Sequence, residues 1–259
     1  MKKTITIITT LIYSLSGFSQ HVVYLTGSAI PDPDIKTINT NLPVGSTAGS
    51  FNVTPMGAAT YNIPIYTAPG TGGMVPQISV SYNSQAGNGL LGFGWNLSGL
   101  SAIIRIVKPY YMDNEVNGIN MDSNDMFGLD GNPLILASGT YGDNGATYKT
   151  ESETFVTVTS YGTSSPDWFK AELRNGTTIE YGRSNYSTIE DASSNALIWN
   201  ITKITDVNGN YIIYNYDYDA NSDQNYLESI EYTGNSTTGL NPYNKIEFTY
   251  AQRVDINEY

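Results

Sequence analysis

One acidic stretch near the C-terminus carries side chains that could bind a metal ion. Residues 217–228 read Asp-Tyr-Asp-Ala-Asn-Ser-Asp-Gln-Asn-Tyr-Leu-Glu. Oxygen-bearing side chains therefore stand at the first, third, fifth, seventh, ninth and twelfth positions, as in an EF-hand loop. Carboxylate and amide oxygens are the ligands that Ca²⁺ prefers in proteins. The sequence predicts a possible calcium site with these candidate ligands: Asp217, Asp219, Asn221, Asp223 and Glu228.

The same stretch also fits an acidic hairpin loop that binds no metal. Ser222 stands at the sixth position, where an EF-hand needs glycine for its sharp turn, and the flanking segments have strand character rather than helix character. Beyond calcium we expect no cofactor. The glycine-dense run 87–94 is not followed by a helix, so it lacks the helix N-terminus that would bind a phosphate.

Side chains that could catalyse a reaction are scarce. His21 is the only histidine, it lies in a stretch without periodicity, and cysteine is absent. A serine nucleophile therefore has no plausible histidine base. A glycosidase needs only a pair of carboxylates, but spacing singles out no pair among Asp122, Asp125, Glu151, Glu153, Glu180 and Asp191. We expect that the chain is not an enzyme.

The elements that must position these residues are β-strands. The chain of 259 residues has 25 glycines, 21 tyrosines and only 14% charged residues, a composition typical of a turn-rich β-protein with one large or two small domains. Its formal net charge is -12. Nucleic acid and anionic lipid are therefore poor partners, because both bind basic surfaces.

The N-terminus has the layout of a secretory signal peptide. Two lysines precede an apolar run of about a dozen residues, which is shorter than the ~20 residues that span a bilayer. Small residues at Gly17 and Ser19 predict a Sec-type signal over residues 1–19, cleaved after Ser19. The alternative is a buried N-terminal strand. Residues 20–48 show no sustained period and predict a flexible leader, so we expect a secreted protein that does not insert into membranes.

Strand periodicity is clearest from residue 75 onwards. Ile78, Val80 and Tyr82 alternate with polar residues, which predicts a half-buried strand. Segment 101–107 predicts another strand that is apolar on both faces except at Arg105. We expect the Arg105 guanidinium to reach water or a carboxylate, because an unpaired buried charge is costly.

A glycine-rich corner lies between these two strands. Gly87 and Gly89 permit positive φ angles, so the chain can reverse tightly, and the return segment, 90–97, has its large apolar side chains on one face. Bare backbone on the other face suits either another backbone packed close against it or a bulge that turns the strand. The residues predicted to form this structural motif are Gly87, Gly89, Gly92, Phe93, Gly94 and Trp95.

Several short motifs between residues 49 and 95 follow one another in an order and spacing that resemble a known module: Gly49–Val53, Gly57–Ile65, Pro69–Pro76, Ser81–Ser84, Gly87–Gly89 and Leu91–Trp95. The module is the N-terminal region shared by the Salmonella virulence-plasmid B protein (SpvB) and the B component of insecticidal toxin complexes (TcdB). The resemblance implies a β-rich casing around, or carrier for, a C-terminal toxic domain. It carries over no catalytic residue.

Turn signals continue towards the C-terminus. Asp130-Gly131 predicts a hairpin, and Asn175-Gly176 predicts a second hairpin with a type I′ turn. Residues 196–250 resemble the tyrosine-aspartate (YD) repeats of Rhs proteins, with Asp206 and Gly209 before a Tyr-Asp-Tyr-Asp run.

The sequence therefore predicts an all-β fold in which antiparallel hairpins and meanders over residues 49–259 form part of a larger β-shell, incomplete in this chain. We expect a non-catalytic shell or carrier segment of a secreted virulence or insecticidal-type toxin. Its expected partner is the remainder of a toxin complex or Rhs-type protein. The alternative function is a secreted, tyrosine-rich module that binds a host surface or glycan.

Overall fold

The computed structural model describes residues 3–8, 49–115, 118–122, 124–162, 166–219 and 224–252. The predicted leader, the cleavage site after Ser19 and the histidine at position 21 lie outside these residues. Nineteen β-strands are present in the described residues: β1 (Lys3–Ile8), β2 (Ser50–Val53), β3 (Ala59–Pro64), β4 (Ser79–Asn83), β5 (Asn88–Gly89), β6 (Gly92–Phe93), β7 (Trp95–Ser98), β8 (Ala102–Ile106), β9 (Met126–Leu129), β10 (Asn132–Ser138), β11 (Thr147–Thr150), β12 (Thr157–Tyr161), β13 (Trp168–Glu172), β14 (Thr178–Tyr181), β15 (Thr188–Glu190), β16 (Ala196–Thr205), β17 (Asn210–Asp219), β18 (Gln224–Asn235) and β19 (Asn244–Gln252).

Helices are short in the described residues. One turn of 3-10 helix covers Thr71–Gly73, and a single α-helix, α1, covers Tyr110–Asp113. The all-β prediction is confirmed. The chain divides into two compact units, one made of residues 1–67, 77–99 and 247–259 and the other of residues 68–76 and 100–246.

The first unit contains an open six-stranded sheet in the order β2-β3-β4-β7-β6-β5. Neighbouring strands are antiparallel throughout. Strand β4 confirms the half-buried strand predicted from alternation, because Ile78 beside it and Val80 within it are buried. In the same unit, β1 pairs antiparallel with residues 247–252 of β19. This pairing does not test the export signal, because a signal peptide is removed from the mature protein by cleavage. The signal therefore stays a prediction.

The second unit is built on a closed sheet of eight strands. Strands β8 to β14, followed by β16, are antiparallel neighbours in that order. Strand β15 lies outside the ring and pairs with β16. Pairing of Trp199 in β16 with Ile103 in β8 closes the ring. A closed sheet has no unpaired edge along the closed length, so its backbone hydrogen bonds are satisfied within the ring.

Side chains fill this ring. Each of its eight strands supplies a residue with at most 2% exposure: Ile103, Phe127, Leu134, Tyr148, Val158, Phe169, Tyr181 and Trp199. Phe127 in β9 and Phe169 in β13 come from opposite sides of the ring, yet their ring centroids are 5.1 Å apart. Eight-stranded closed sheets are narrow enough for side chains to meet in the middle. The interior is therefore a packed core.

Strand β16 joins the ring to the rest of the second unit. Its first half pairs with β15 on one side and β8 on the other, and its second half pairs with β14 and β17. Strand β18 then pairs with β17 along the whole length of β17, with two register shifts. Ile212 and Tyr214 in β17 and Leu227 and Ile230 in β18 are buried, so the core continues beyond the ring.

Two predicted hairpins are present, one with a different turn from the prediction. Asp130 and Gly131 both have positive φ, as a type I′ turn requires. At the second hairpin only Gly176 has positive φ, and its N–H donates to the Leu173 carbonyl. The type I′ prediction at Asn175 is wrong: the loop is a type I turn followed by a left-handed glycine.

Candidate functional site

The open sheet of the first unit carries a continuous row of aromatic side chains. Phe51 lies opposite Tyr61, Tyr61 opposite Tyr82, and Tyr82 opposite Trp95, so the row crosses β2, β3, β4 and β7. Directly paired residues lie on the same face of a sheet. The Tyr82 and Trp95 ring centroids are 5.2 Å apart. We call this side of the sheet the aromatic face.

Exposure of the aromatic face increases towards β2. Val80 in β4 is buried, whereas Phe51 and Val53 in the edge strand β2 are 68% and 55% exposed. Met56, in the turn after β2, is 83% exposed. Contiguous exposed apolar surface on a soluble domain marks an interaction site, while single exposed apolar residues do not. The β2 end of this face is therefore a candidate docking surface.

The opposite face of the same sheet is polar and uncharged. It carries serine, threonine and asparagine residues, including Asn52, Thr60 and Ser81. The Thr60 hydroxyl donates to the Asn52 carbonyl at 3.1 Å, and the Ser81 and Ser98 hydroxyls are hydrogen-bonded to each other. These hydroxyls are satisfied by neighbouring groups of the same sheet, so this face offers polar groups where the aromatic face offers apolar ones.

The glycine motif of the sequence analysis lies at the far end of this sheet. Gly92 and Gly94 have positive φ, whereas Gly87 and Gly89, where the sequence permits it, do not. A Cβ on Gly94 would lie 2.6 Å from the Tyr82 ring, and one on Gly89 would lie 2.4 Å from the Trp95 carbonyl. At Gly89, therefore, the close approach of neighbouring atoms leaves no room for a Cβ, although its φ is not one that favours glycine.

The predicted single return strand does not form here. The segment contains β6 and most of β7, with β5 just before it, because the two left-handed glycines turn the chain within it. Phe93 is 67% exposed, while Trp95 packs against Tyr82. Alternation had placed Phe93 and Trp95 on one face. In the structure the two residues do not share a buried environment.

Arg105 satisfies its predicted requirement inside the second unit. Its Nη1 lies 3.6 Å from Asp125 Oδ2, and both side chains are at most 5% exposed. Its Nε donates to the Ala196 carbonyl, and its guanidinium lies 5.3 Å from the Phe127 ring centroid and 5.9 Å from that of Trp199. The prediction that the charge reaches a carboxylate is confirmed.

This buried pair is a structural contact. Asp125 Oδ1 accepts a hydrogen bond from the Asn120 backbone N–H, which ties the loop before β9 to the ring. Asp125 Oδ2 has no hydrogen-bond partner among the described atoms, so its charge is balanced by Arg105 at longer range. Removing either partner would leave an uncompensated charge in the core.

The predicted calcium ligands lie on and between two strands. Asp217 and Asp219 belong to β17 and Glu228 to β18, while Asn221 and Asp223 lie outside the described residues. The Asp217 Oδ1 accepts a hydrogen bond from the Tyr218 backbone N–H. Within the described residues no group of three or more acidic or histidine side chains is arranged to hold a metal. The calcium site stays a prediction.

The carboxylates considered for glycosidase chemistry each make a local contact. Asp125 pairs with Arg105, and Glu180 pairs with Arg183 at 2.7 Å. Asp191 caps a hairpin turn, and hydrogen bonds led by the Asn195 side chain lower the pKa of its carboxyl. Contacts of the remaining three are also local: Asp122 with Asn124, Glu151 with Tyr111 and Glu153 with Phe155.

Asp206 explains part of the YD-like pattern. Its Oδ1 accepts hydrogen bonds from the backbone N–H groups of Asn208 and Asn210, and its backbone carbonyl accepts one from the N–H of Gly209. Gly209 adopts a φ of +82°, which favours glycine. The aspartate and glycine together hold the turn between β16 and β17.

Comparison with protein-family models matches residues 53–255 to the family described as Salmonella virulence plasmid 65kDa B protein. The chain belongs to the SpvB family. The sequence resemblance is thereby confirmed for the SpvB module, and the likeness to Rhs repeats stays a prediction. No curated protein matches the chain.

Solved structures with the SpvB-family fold include toxin components. The N-terminal domain of effector protein SpvB from Salmonella typhimurium strain LT2 has a TM-score of 0.52 and 20% identity, over 70% of this chain and 66% of that chain. TcdB2-TccC3 has a TM-score of 0.59 and 20% identity, over 73% and 10%. The Photorhabdus luminescens Tc holotoxin pore has a TM-score of 0.57 and 20% identity, over 77% and 11%.

These likenesses are likenesses of fold. The SpvB-family chain described here spans about a tenth of the length of the TcdB2-TccC3 chain that it matches. Neither of its two helices in the described ranges has the length and apolar character needed to cross a membrane.

The aromatic face was not among the features predicted from the sequence. Phe51 and Val53 were part of the family motif, and their spacing of two residues was a visible signal. What the sequence lacked was the position of β2 at the edge of an open sheet. Exposure depends on that position, because a neighbouring strand or layer would bury the same residues.

Proposed function

We propose that this chain is a non-catalytic shell or carrier segment of a secreted toxin. In this proposal it helps to enclose or deliver a C-terminal toxic domain that is not contained in its 259 residues. Membership of the SpvB family and the fold shared with TcdB2-TccC3 support the proposal. The ring is also filled by side chains, which fits a structural segment better than a ligand-holding barrel.

The main structural support for the proposal is the exposed β2 end of the aromatic face. Strand β2 is an edge strand with all four residues exposed, and it contains neither charge nor proline. Natural edge strands are usually protected by charges, proline or a covering segment. We propose that further strands of the toxin shell, from outside these 259 residues, cover Phe51 and Val53. The occupant is thus an apolar β-strand of the same toxin, on the same or a separate polypeptide.

The genomic neighbourhood provides the first experiment. We expect the DNA downstream of codon 259 to encode, in frame or as an adjacent gene, further β-strand sequence and a toxic domain. An unrelated neighbourhood on both sides would contradict the proposal. Purified mature chain should begin at Gln20 by mass spectrometry if the export signal is cleaved as expected.

The second experiment measures assembly with that downstream product. The chain is co-expressed with it, and the amount of product that co-purifies is quantified. Phe51→Asp places a charge on the aromatic face, and we expect at least about a tenfold loss of co-purification, as for a central interface residue. Asn52→Asp adds the same charge to the polar face of the same strand and serves as the control.

Equal co-purification of wild type and both variants would contradict a role for the aromatic face. A loss in both variants would indicate general disruption of β2 rather than a docking surface. Thermal melting of each variant separates this outcome from a binding effect, because the exposed side chain at position 51 should contribute little to folding.

A further inference from the structure

A polar cleft lies where β13 begins and β14 ends in the second unit. Its volume is about 360 Å³, within the ~300–1,000 Å³ range of small-molecule sites. Residues from two stretches of the chain line it: one holds Asp167, and the other, 182–196, holds the loop 184–186, strand β15 and Ser194. The cleft is distinct from the aromatic face, so its role does not depend on the shell proposal.

Several polar side chains in this cleft have hydrogen-bonding capacity to spare. The Asp167 carboxylate, the Ser184 and Ser194 hydroxyls and the Asn185 amide all line it, and none has a side-chain hydrogen bond to another described residue. Hydroxyl and amide groups both donate and accept, and a carboxylate accepts. Together they match a ligand that presents several hydroxyl groups.

An aromatic platform adjoins these groups. Tyr186 lines the cleft and is 50% exposed, and its ring is stacked on that of Tyr218 with centroids 5.8 Å apart and planes inclined by 20°. A tyrosine ring offers an apolar face together with a polar hydroxyl. Such a ring can pack against the C–H face of a sugar while neighbouring polar groups bind the sugar hydroxyls.

The loop that presents Tyr186 is held in place by its own hydrogen bonds. Tyr186 has a φ of +58°, which is unusual for a bulky residue. The next residue, Ser187, is fully buried, and its hydroxyl donates to the Ser184 carbonyl and accepts from the Ser184 N–H. The platform is therefore preorganised, which reduces the entropy lost on binding.

The charge around the cleft selects among sugars. Asp167 and Glu190 both line it, and no lysine or arginine is among the described residues that do. The neighbouring Arg183 is paired with Glu180 and stacked on Trp168. An anionic sugar would meet two carboxylates without a cation in the lining, and like charges repel.

We propose that this cleft binds a neutral oligosaccharide, with Tyr186 stacking on a sugar ring and Ser184, Asn185 and Asp167 binding its hydroxyl groups. The test uses the full chain on an array of neutral and sialylated glycans, followed by titration calorimetry with the best neutral glycan. We expect saturable binding of neutral glycans and at least about tenfold weaker binding by Tyr186→Ala.

Two further variants keep the test decisive. Tyr243→Ala removes another exposed tyrosine of the second unit that does not line the cleft, and we expect wild-type binding. If Tyr186→Ala does not fold, Tyr186→Asn replaces it, because asparagine tolerates a left-handed backbone.

Three results would overturn the proposal. The first is the absence of saturable binding of any neutral glycan by the wild-type chain at millimolar concentration. The second is equal binding by wild type and the folded variant at position 186. The third is a preference for sialylated over matching neutral glycans, since the two carboxylates predict the reverse. None of these results would affect assembly with a downstream toxin product.

Discussion

The two sheets of this protein share an alternating sequence pattern, but the aromatic side chains are buried in one sheet and exposed in the other. In the closed sheet, Phe127 and Trp199 are at most 2% exposed and contact each other inside the ring, and Phe127 also contacts Phe169 from the opposite side. In the open sheet, Phe51 belongs to an equally regular aromatic row but is 68% exposed. Sheet closure therefore decides whether an aromatic side chain stabilises the fold or remains available to a partner.

Polar residues show the same contrast. The closed sheet buries the charged pair Arg105 and Asp125 among aromatic rings. The open sheet instead has serine, threonine and asparagine on its polar face, where hydroxyls bond to neighbouring carbonyls or hydroxyls. Charge inside a core must be matched by a partner, whereas neutral polar groups at a surface can use water.

The two sheets should differ most in how much stability is lost when an aromatic side chain is replaced by alanine. Phe127→Ala removes a ring that contacts Tyr141, Tyr148, Phe169 and Trp199, and we expect the free energy of unfolding to fall by about 4 kcal/mol. Phe51→Ala should change it by no more than about 0.5 kcal/mol. Urea unfolding of both variants measures the difference. Similar losses in the two variants would break the comparison.

The second largest loss of stability is expected when one partner of the buried charge pair is removed. Arg105→Ala leaves Asp125 unpaired, and we expect a loss of about 3 kcal/mol, at the lower end of values for buried pairs because the separation is 3.6 Å. Lys170→Ala breaks a surface pair with Glu172 and should cost at most about 1 kcal/mol. Replacing both buried partners, as Arg105→Met with Asp125→Leu, should recover part of the loss. If the double variant were less stable than the single one, desolvation would not explain the effect.

Alkaline pH should destabilise the second unit through its buried tyrosines. Burial raises the pKa of Tyr214 to about 12 and also raises the pKa of Tyr181. The folded state then holds the phenol proton more tightly than the unfolded state, whose tyrosines titrate near ~10. Stability is full below pH ~10 and falls as the pH rises towards 12, by up to about 2 kcal/mol for Tyr214.

Denaturant unfolding at several pH values tests this expectation. Tyr214→Phe should be less dependent on pH than wild type between pH ~10 and 12, because it has one fewer buried phenol to ionise. The same pH dependence in both proteins would show that Tyr214 does not contribute to the alkaline loss.

The smallest expected effect distinguishes glycines within the open sheet. Gly94→Ala requires a left-handed residue at φ +77° and places a Cβ 2.8 Å from the Asn83 carbonyl, so we expect a loss of about 1–2 kcal/mol. Gly87→Ala meets nothing within 4 Å and should be within about 0.5 kcal/mol of wild type. Thermal melting compares the two, and equal effects would show that glycine density rather than conformation matters.

Local patterns in the sequence were sufficient for some of the strands and turns, but not for the segment 90–97. Alternation around Val80 predicted a half-buried strand, and Asp130-Gly131 predicted a hairpin, because both depend on backbone preferences of neighbouring residues. The single charge in an apolar strand predicted a carboxylate or water partner for Arg105. The family motifs between residues 49 and 95 predicted the fold that the family match confirmed.

Other features were decided only by tertiary structure. Pairing of Trp199 with Ile103 closes the ring across almost a hundred residues, and no local pattern specifies that contact. The same holds for the cleft beside Tyr186, which brings Asp167 beside polar groups of residues 182–196. Alternation in sequence assigns a residue to one face of a strand, but its burial depends on what covers that face. Phe51 and Phe127 differ for this reason, although both lie in β-strands.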